Sequence, residues 1–148
     1  MAKSFLLTDD DIDDRELFAE ALVAIDPSIT CHFAEDGEAA IRLLTNKQIE
    51  KPDIIFLDIN MPVMDGWQVL RKLKADNHYE DVPVMMYSTS SASGDRKTAK
   101  DLGALCFVTK PYNYNLVKSM LEVVITKLNN NSLSTVCNEI QALLKNTG

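Results

Sequence analysis

Short apolar runs alternate with segments of helical spacing along this 148-residue chain. Each run has the length of a strand, and most of the segments between them carry apolar residues three or four positions apart, as amphipathic helices do. The least apolar of these segments spans residues 92–102. Because strands joined through helices pair in parallel, the alternation predicts an α/β fold: a doubly wound, five-stranded parallel sheet with helices on both faces. The predicted strands are residues 5–7, 29–33, 54–57, 84–87 and 105–108.

Polar side chains follow four of the five predicted strands. In a doubly wound sheet the carboxyl ends of the strands share one edge, where ligand sites lie near the change in strand order. Taken singly, each of these residues is explained as well by a turn, a helix start or a surface loop. Their joint placement at one edge favours a functional site. They are Asp9, Asp10 and Asp11 after the first strand, Asp58 after the third, Ser88 and Thr89 after the fourth, and Lys110 with Pro111 after the fifth.

Four sequence segments carry a family resemblance: LLTDDD, DIIFLDINMPVMDG, VPVMMYSTS and CFVTKPY, in this order. With these segments, residues 4–128 resemble the receiver domain of a two-component response regulator and are similar to the single-domain chemotaxis regulator. The resemblance implies a flavodoxin-like receiver fold and a phosphoacceptor switch of two-component signal transduction. It also implies a signalling protein rather than an enzyme, one that assists only its own phosphorylation and dephosphorylation.

The resemblance assigns a role to the polar residues at the sheet edge. It implies that Asp58 is the phosphoacceptor, that Lys110 and Ser88 contact the phosphoryl oxygens, and that the Lys110–Pro111 bond is cis. Phosphoryl transfer mainly requires positioning and charge neutralisation, and hard oxygen ligands suit Mg2+ as the cofactor. The implied Mg2+ ligands are Asp9, Asp10, Asp58 and the backbone carbonyl of Asn60.

The resemblance also implies how such a switch works. Ser88 and the aromatic residue Phe107 hold the switch positions, although simple core packing explains Phe107 equally well. The bulk of Tyr87 is expected to restrict the swing of Phe107. Asn60 and Ser90 occupy positions that tune dephosphorylation in the family. Phosphorylation is therefore expected to reshape a protein-binding face near the last strand.

Composition limits the partners and the location. A net charge of −7 disfavours nucleic-acid binding, which needs lysine and arginine to displace counterions. No apolar run approaches the roughly 18 residues of a membrane span, and the N-terminus does not resemble a signal peptide. We therefore expect a cytoplasmic protein with no DNA or membrane partner. The resemblance implies a sensor histidine kinase or phosphotransfer protein as donor and a downstream protein as target.

The end of the chain predicts a short extra C-terminal helix. Residues 129–132, with the sequence NNNS, predict a linker after a receiver domain at 1–128, and residues 129–148 are too few for an output domain. The apolar residues after the linker recur at roughly helical spacing. An isolated helix of this length is marginal in water, so it needs a surface to pack on. Docking on its own domain is the favoured interpretation, and binding a partner or a second copy in a homodimer is the alternative.

The cysteines give a weaker signal. Cys31, Cys106 and Cys137 are scattered, odd in number and without CxxC spacing. This pattern argues against a disulfide framework or a zinc site. It suits a reducing cytosol.

Three rival interpretations are weaker than the receiver domain. The stretch DDDIDDRELFAE places acidic residues at several ligand positions of an EF-hand loop, but Asp14 stands where that loop requires glycine. Phosphatases of the haloacid dehalogenase type carry a second aspartate two residues after the nucleophile, where this chain has Asn60. A receiver-like adaptor that no longer accepts phosphate is disfavoured because every phosphorylation position is present.

Overall fold

A five-stranded parallel sheet lies at the centre of the computed structural model, which describes residues 3–89 and 93–145. Each strand lies within one residue of its predicted bounds. The strands are β1 (Ser4–Thr8), β2 (Thr30–Ala34), β3 (Ile54–Leu57), β4 (Val84–Ser88) and β5 (Cys106–Thr109). Their order in the sheet is β2-β1-β3-β4-β5, so the winding direction reverses between β1 and β3. The predicted doubly wound α/β fold is confirmed.

The helices begin where short polar side chains can cap them. The side chains of Asp11, Asp36, Asp65 and Asn113 each accept a hydrogen bond from a backbone N–H in the first helical turn that follows. Within the described residues, no helix has the length and apolar character that a membrane crossing needs. The helices are α1 (Ile12–Ile25), α2 (Gly37–Thr45), α3 (Gly66–Lys74), α4 (Ser93–Asp101), α5 (Tyr114–Asn129) and α6 (Val136–Lys145).

The sheet separates two hydrophobic cores because successive side chains of a strand point to opposite faces. Phe5 and Leu7 of β1 belong to the core shared with α1, α5 and α6. Leu6, between them, belongs to the core shared with α2 and α3. All four side chains of the central strand β3 are buried. Burial on both faces explains why this strand is a continuous apolar run rather than an alternating one.

Helix α4 has little apolar anchoring, as its sequence predicts. Among residues 94–101, Ala99 alone is buried, and the helix packs mainly against β5. Ser90, Ser91 and Ala92, which precede it, lie outside the described residues. Few buried apolar contacts make an element inexpensive to displace.

Helix α6 docks on the domain that precedes it. After α5, Asn131 takes a left-handed conformation with φ 54°, and the chain turns back through a short 3-10 helix at Leu133–Thr135. Helix α6 then packs against α5 and β5, with Val136 and Ile140 fully buried. The favoured prediction, intramolecular docking of a C-terminal helix, is confirmed for these residues.

A disulfide joins Cys106 in β5 to Cys137 in α6, with the two Cα atoms 5.4 Å apart. The expectation that the chain lacks disulfide pairing is therefore wrong. The two cysteines are 31 residues apart, and spacing rules that look for nearby pairs cannot detect a pair that forms only when α6 docks on β5. Cys31 in β2 is a free, partly buried thiol.

Candidate functional site at the carboxyl edge of the sheet

Three strands each deliver a charged residue to the carboxyl edge of the sheet. Backbone hydrogen bonds continue past the strand ends: Asp58 N donates to Thr8 O at 2.9 Å, and Lys110 N donates to Ser88 O at 2.8 Å. Asp9 N donates to the end of β2 in the same way, at 3.0 Å. These bonds fix the three charged residues through the sheet itself, so their side chains are positioned by a rigid scaffold.

The ammonium group of Lys110 is buried among three carboxylates. Its Nζ lies 2.7 Å from Asp9 Oδ2, 2.8 Å from Asp14 Oδ2 and 3.3 Å from Asp58 Oδ2. Burial opposes the charge on Lys110, but the close carboxylates of Asp14 and Asp9 outweigh burial and hold its pKa above the usual value. Lys110 is therefore charged and neutralises part of the acidic cluster.

Three carboxylates form a set that could hold a metal ion. Asp9, Asp10 and Asp58 each offer one oxygen, and these oxygens lie within 4.8 Å of one another. Asp9 and Asp58 are buried, whereas Asp10 is exposed. Burial raises the pKa of Asp9 to about 6, although Lys110 acts against this rise. Asp9 Oδ2 has an ion pair with Lys110 but no hydrogen bond of good geometry. A hard divalent cation fits these oxygens, because it would offset charge that the fold buries.

The loop after β3 folds back on Asp58. Gly66 N donates to Ile59 O at 2.9 Å, and a Cβ atom at Gly66 would overlap the backbone carbonyl of Asp58. Glycine is therefore required by close approach of two backbone segments. Asn60, the expected carbonyl ligand, lies in the same loop and is exposed.

The two expected switch residues lie on neighbouring strands, Ser88 at the end of β4 and Phe107 inside β5. Ser88 ends β4 and is fully buried, and Phe107 is buried in the core shared with α2 and α3. The guanidinium of Arg96, in α4, lies 5.5 Å from the centroid of the Phe107 ring and donates to Phe107 O at 3.5 Å. Helix α4 thus contacts the strand that contains Phe107 and leads into Lys110.

Tyr87 does not lie in the path of Phe107, and the expectation that it restricts that ring is wrong. Neighbouring residues of a strand face opposite sides of the sheet, so Tyr87 belongs to the other core. Its ring packs edge-on against Phe56, with the centroids 5.8 Å apart. It lies instead near Lys110, whose Nζ is 5.7 Å from the centroid of the Tyr87 ring.

Three further expectations concern the residues that follow β4 and β5. Thr89 is exposed, next to buried Ser88. Ser90 lies outside the described residues. The Lys110–Pro111 bond is not cis, and that expectation is wrong. The trans form is the one that a bond before proline favours intrinsically.

Sequence reasoning missed two residues in the first turn of α1. Asp14 contacts Lys110, and Arg15 Nη1 donates to Asp9 O at 2.7 Å. Asp11 instead caps the helix, with its side chain accepting from Asp13 N at 2.9 Å. Because α1 begins inside the stretch that resembles an EF-hand loop, that interpretation is excluded. The Cα–Cβ bonds of a helix tilt toward its N-terminus, and this is the signal that could have placed Asp14 and Arg15 at the site.

The sequence profile of one family, described as the response regulator receiver domain, matches residues 5–122. The chain belongs to this family. Receiver domains act in two-component signalling, in which they take a phosphoryl group from a histidine kinase and pass the signal to a target. The acidic cluster of this receiver domain is consistent with divalent metal binding.

Relatives and solved structures agree with this assignment. The receiver domain is 30% identical over 133 residues to the probable transcriptional regulator ycf27 of Cyanophora paradoxa, covering 90% of this chain and 52% of that relative. The chain thus spans about half the length of the curated relatives it matches first. The Mn2+-bound form of response regulator Rcp1 has a TM-score of 0.74 and 28% identity, covering 80% of this chain and 91% of Rcp1. The phosphorylated cyanobacterial phytochrome response regulator RcpA has a TM-score of 0.79 and 30% identity, covering 86% of this chain and 96% of RcpA.

Proposed function

We propose that this receiver domain accepts a phosphoryl group on Asp58 and thereby switches a protein-binding face. The observation that carries the proposal is the position of Asp58. It is buried at the carboxyl end of β3, with Oδ2 3.3 Å from Lys110 Nζ and within a carboxylate cluster formed with Asp9 and Asp10. A carboxylate held beside a buried ammonium is suited to receive a group whose oxygens carry negative charge.

In the proposed transfer, a carboxylate oxygen of Asp58 attacks the phosphorus atom of the donor. A P–O bond forms to Asp58 while the bond from phosphorus to the donor's leaving group breaks, and the leaving group keeps that electron pair. Lys110 stabilises the charge on the transferred oxygens as a compact cation. The hydroxyl group of Ser88 then donates a hydrogen bond to one of those oxygens.

The divalent ion of this proposal is Mg2+, with Asp9, Asp10, Asp58 and the backbone carbonyl of Asn60 as its ligands. When bound, it supplies positive charge that offsets the charge on the phosphoryl oxygens. The exposure of Asp10 leaves one side of the cluster open to solvent, which suits a cation that retains several water ligands. The ion pair with Lys110 holds the buried Asp9 in place.

The proposed switch runs from Ser88 to the face formed by α4, β5 and α5. Movement of Ser88 toward a phosphoryl oxygen would change the space beside Phe107 on the neighbouring strand. Helix α4 contacts that strand through Arg96 and is anchored weakly, with Ala99 as its buried residue. A small displacement at the site can therefore move α4 at low cost.

The partners and the location belong to the same proposal. The donor is a sensor histidine kinase or a phosphotransfer protein, and the signal passes to a downstream protein rather than to DNA. The proposal also includes a homodimer as an oligomeric state to be tested. The protein acts in the cytoplasm as a phosphoacceptor, not as an enzyme with a separate substrate. Residues 1–128 form the receiver unit, and residues 129–148 form a linker and a C-terminal extension that contains α6.

The deciding experiment is incubation with acetyl phosphate and Mg2+, followed by measurement of the intact mass. One phosphoryl group should add to the wild-type protein. None should add to Asp58→Asn or to protein treated with EDTA.

A matched control separates the site from the surrounding acidic surface. Asp65→Asn removes a carboxylate from the same loop, and asparagine retains the ability to cap α3. This variant should be labelled as the wild type is. Equal labelling of Asp58→Asn and wild type would overturn the assignment of the phosphoacceptor.

A further inference from the structure

Helix α6 covers the outer edge of the sheet beside the proposed site. Strand β5 is the last strand of the sheet, and α6 packs along it. A groove of about 500 Å³ lies between them, with Phe107 and Lys110 on one wall and Ile140 and Leu144 on the other. The contacts that hold α6 in place therefore control access to β5, which contains Phe107 and leads into Lys110.

The disulfide fastens α6 to β5 at this point. Cys106 immediately precedes Phe107 and is buried, whereas Cys137 in α6 is partly exposed. Noncovalent contacts hold the same helix: Val136 is fully buried, and Lys127 Nζ lies 2.7 Å from Glu139 Oε1. The helix therefore has two kinds of attachment, one apolar and ionic and the other dependent on oxidation.

We propose that Cys106 and Cys137 form a reversible redox latch that locks α6 over β5. In the oxidised protein the bond prevents α6 from leaving the strand. In the reduced protein the noncovalent contacts keep α6 docked most of the time but allow it to open. A disulfide in a cytosolic protein is usually transient and redox-sensing rather than structural. This last point rests on the location given in the proposed function, whereas the latch itself does not.

The exposure of the two cysteines determines which thiolate reacts first. The thiolate of Cys137, which solvent can reach, attacks a small disulfide such as glutathione disulfide and releases one glutathione thiolate. The thiolate of Cys106 then attacks the Cys137 sulfur of the mixed disulfide and releases the second glutathione. The two protein thiols lose two electrons and two protons in total, and glutathione disulfide takes up the electrons. Two glutathione thiols reverse both steps: one thiolate attacks the Cys137 sulfur and releases Cys106, and the second attacks the glutathione sulfur of the mixed disulfide and releases Cys137, so that glutathione disulfide forms again.

The latch gives the protein a second input besides phosphorylation. Opening of α6 removes one wall of the groove and exposes the outer side of β5 together with Lys110 and Tyr112. Oxidation keeps this surface closed. Signalling through the α4–β5–α5 face would then require both a phosphoryl group and a reduced latch, a consequence that rests on the proposed function.

The first test measures the bond and does not depend on phosphorylation. The full chain is equilibrated in glutathione buffers of increasing oxidised fraction, then alkylated and digested. The expected result is a Cys106–Cys137 peptide that appears and disappears reversibly. Cys31 should remain outside the disulfide, since burial raises the pKa of its thiol to about 12 and thiolate is the reactive form.

The second test measures the motion of α6 by hydrogen exchange. Reduction should speed exchange of the α6 amides by about tenfold or more, because the disulfide no longer limits opening, and should leave β1 and β3 unchanged. The double variant Cys106→Ser, Cys137→Ser should match reduced protein in both buffers, and Cys31→Ser should respond as the wild type does. Failure to form the Cys106–Cys137 peptide at any glutathione ratio overturns the latch, as does equal α6 exchange in the two states. Neither result bears on labelling of Asp58 by acetyl phosphate, so the two proposals fail separately.

Discussion

The carboxylate of Asp14 lies 2.8 Å from the ammonium of Lys110, although 96 residues separate them in the sequence. Asp14 stands in the first turn of α1 and is partly exposed, whereas the side chain of Lys110 is only 7% exposed. Lys110 also contacts Asp9 and Asp58. An ammonium group has three N–H donors, so a phosphoryl oxygen must displace one of these carboxylates to bind it. Asp14, the most exposed of the three, is the one that can leave at least cost.

Removing the charge of Asp14 should therefore favour occupancy of the site. Asp14→Asn is expected to tighten binding of beryllofluoride, a phosphoryl mimic, by about three- to tenfold, because the competing charge near Lys110 is lost. Titration followed by NMR or by tryptophan fluorescence measures the affinity. Asp13→Asn is the matched control, since Asp13 lies in the same helical turn and is exposed. Weaker binding in Asp14→Asn would show that Asp14 positions Lys110 rather than competing for it.

The sequence predicted Asp9, Asp58 and Lys110 as a group because the carboxyl ends of parallel strands must meet at one edge. It did not predict Asp14, whose contact depends on how the first turn of α1 faces the sheet. The error over Tyr87 was avoidable, because alternation along a strand already places that residue on the face opposite to its neighbours.

The sequence did not predict the contacts between elements that are distant in the chain. The strands and most helices follow from local apolar spacing, and α6 follows from a short stripe of the same kind. The pairing of Cys106 with Cys137 depends on where α6 docks, and no local pattern encodes that position. The requirement for glycine at Gly66 likewise comes from an approach of two backbone segments that only the folded chain reveals.

The pKa of Asp9 predicts a dependence of stability on pH in protein freed of metal ions. The folded value of about 6 exceeds the ordinary value of 3.8, so the folded protein binds more protons than the unfolded chain between these limits. The contribution of Asp9 to the free energy of unfolding should therefore fall as the pH rises from about 4 to about 6, by at most about 3 kcal/mol. Urea unfolding of the wild type and of Asp9→Asn, both in EDTA and at several pH values, measures this contribution as the difference between the two free energies of unfolding.

Divalent ions should reverse this dependence of the free energy of unfolding on pH. Because binding requires the ionised carboxylate, Mg2+ should stabilise the wild type above pH 6 and progressively less below it. Asp9→Asn should lose most of the Mg2+ effect. A wild-type unfolding curve in EDTA with the same pH dependence as Asp9→Asn would contradict the raised pKa of Asp9.

Gly66 and Gly94 offer a matched pair of substitutions with opposite outcomes. Gly66→Ala should destabilise the protein by about 2 kcal/mol or more and slow labelling by acetyl phosphate, because the new methyl group pushes the loop away from Asp58. At Gly94, in α4, a new methyl group would have no neighbouring atom within 4 Å, so Gly94→Ala should be neutral or stabilising by up to about 1 kcal/mol. Thermal unfolding and intact-mass labelling measure both. Equal effects of the two changes would exclude a special role for Gly66.

Two valines test whether the docking of α6 stabilises the domain. Val136 is fully buried, whereas Val23 in α1 is 62% exposed. In reducing buffer, Val136→Ala should lower the free energy of unfolding by about 2 kcal/mol, because it leaves a cavity between α6 and the core. Val23→Ala should change it by less than about 0.5 kcal/mol. A negligible effect of Val136→Ala would mean that α6 contributes little to the stability of the reduced domain.

The proposed switch predicts that a signal at Asp58 reaches residues that do not touch the ligand. Beryllofluoride with Mg2+ should perturb the amide resonances of α4 and β5, including those of Ala99 and Phe107, since α4 has little core anchoring and contacts β5 through Arg96. Amides of α2, which packs against β2 at the edge of the sheet opposite to β5, should change least. Asp58→Asn should abolish all of these amide perturbations, which would show that they originate at the site. Perturbations limited to the residues beside Asp58 and Lys110 would show that binding is local, and the α4–β5–α5 face would then not be the output of this domain.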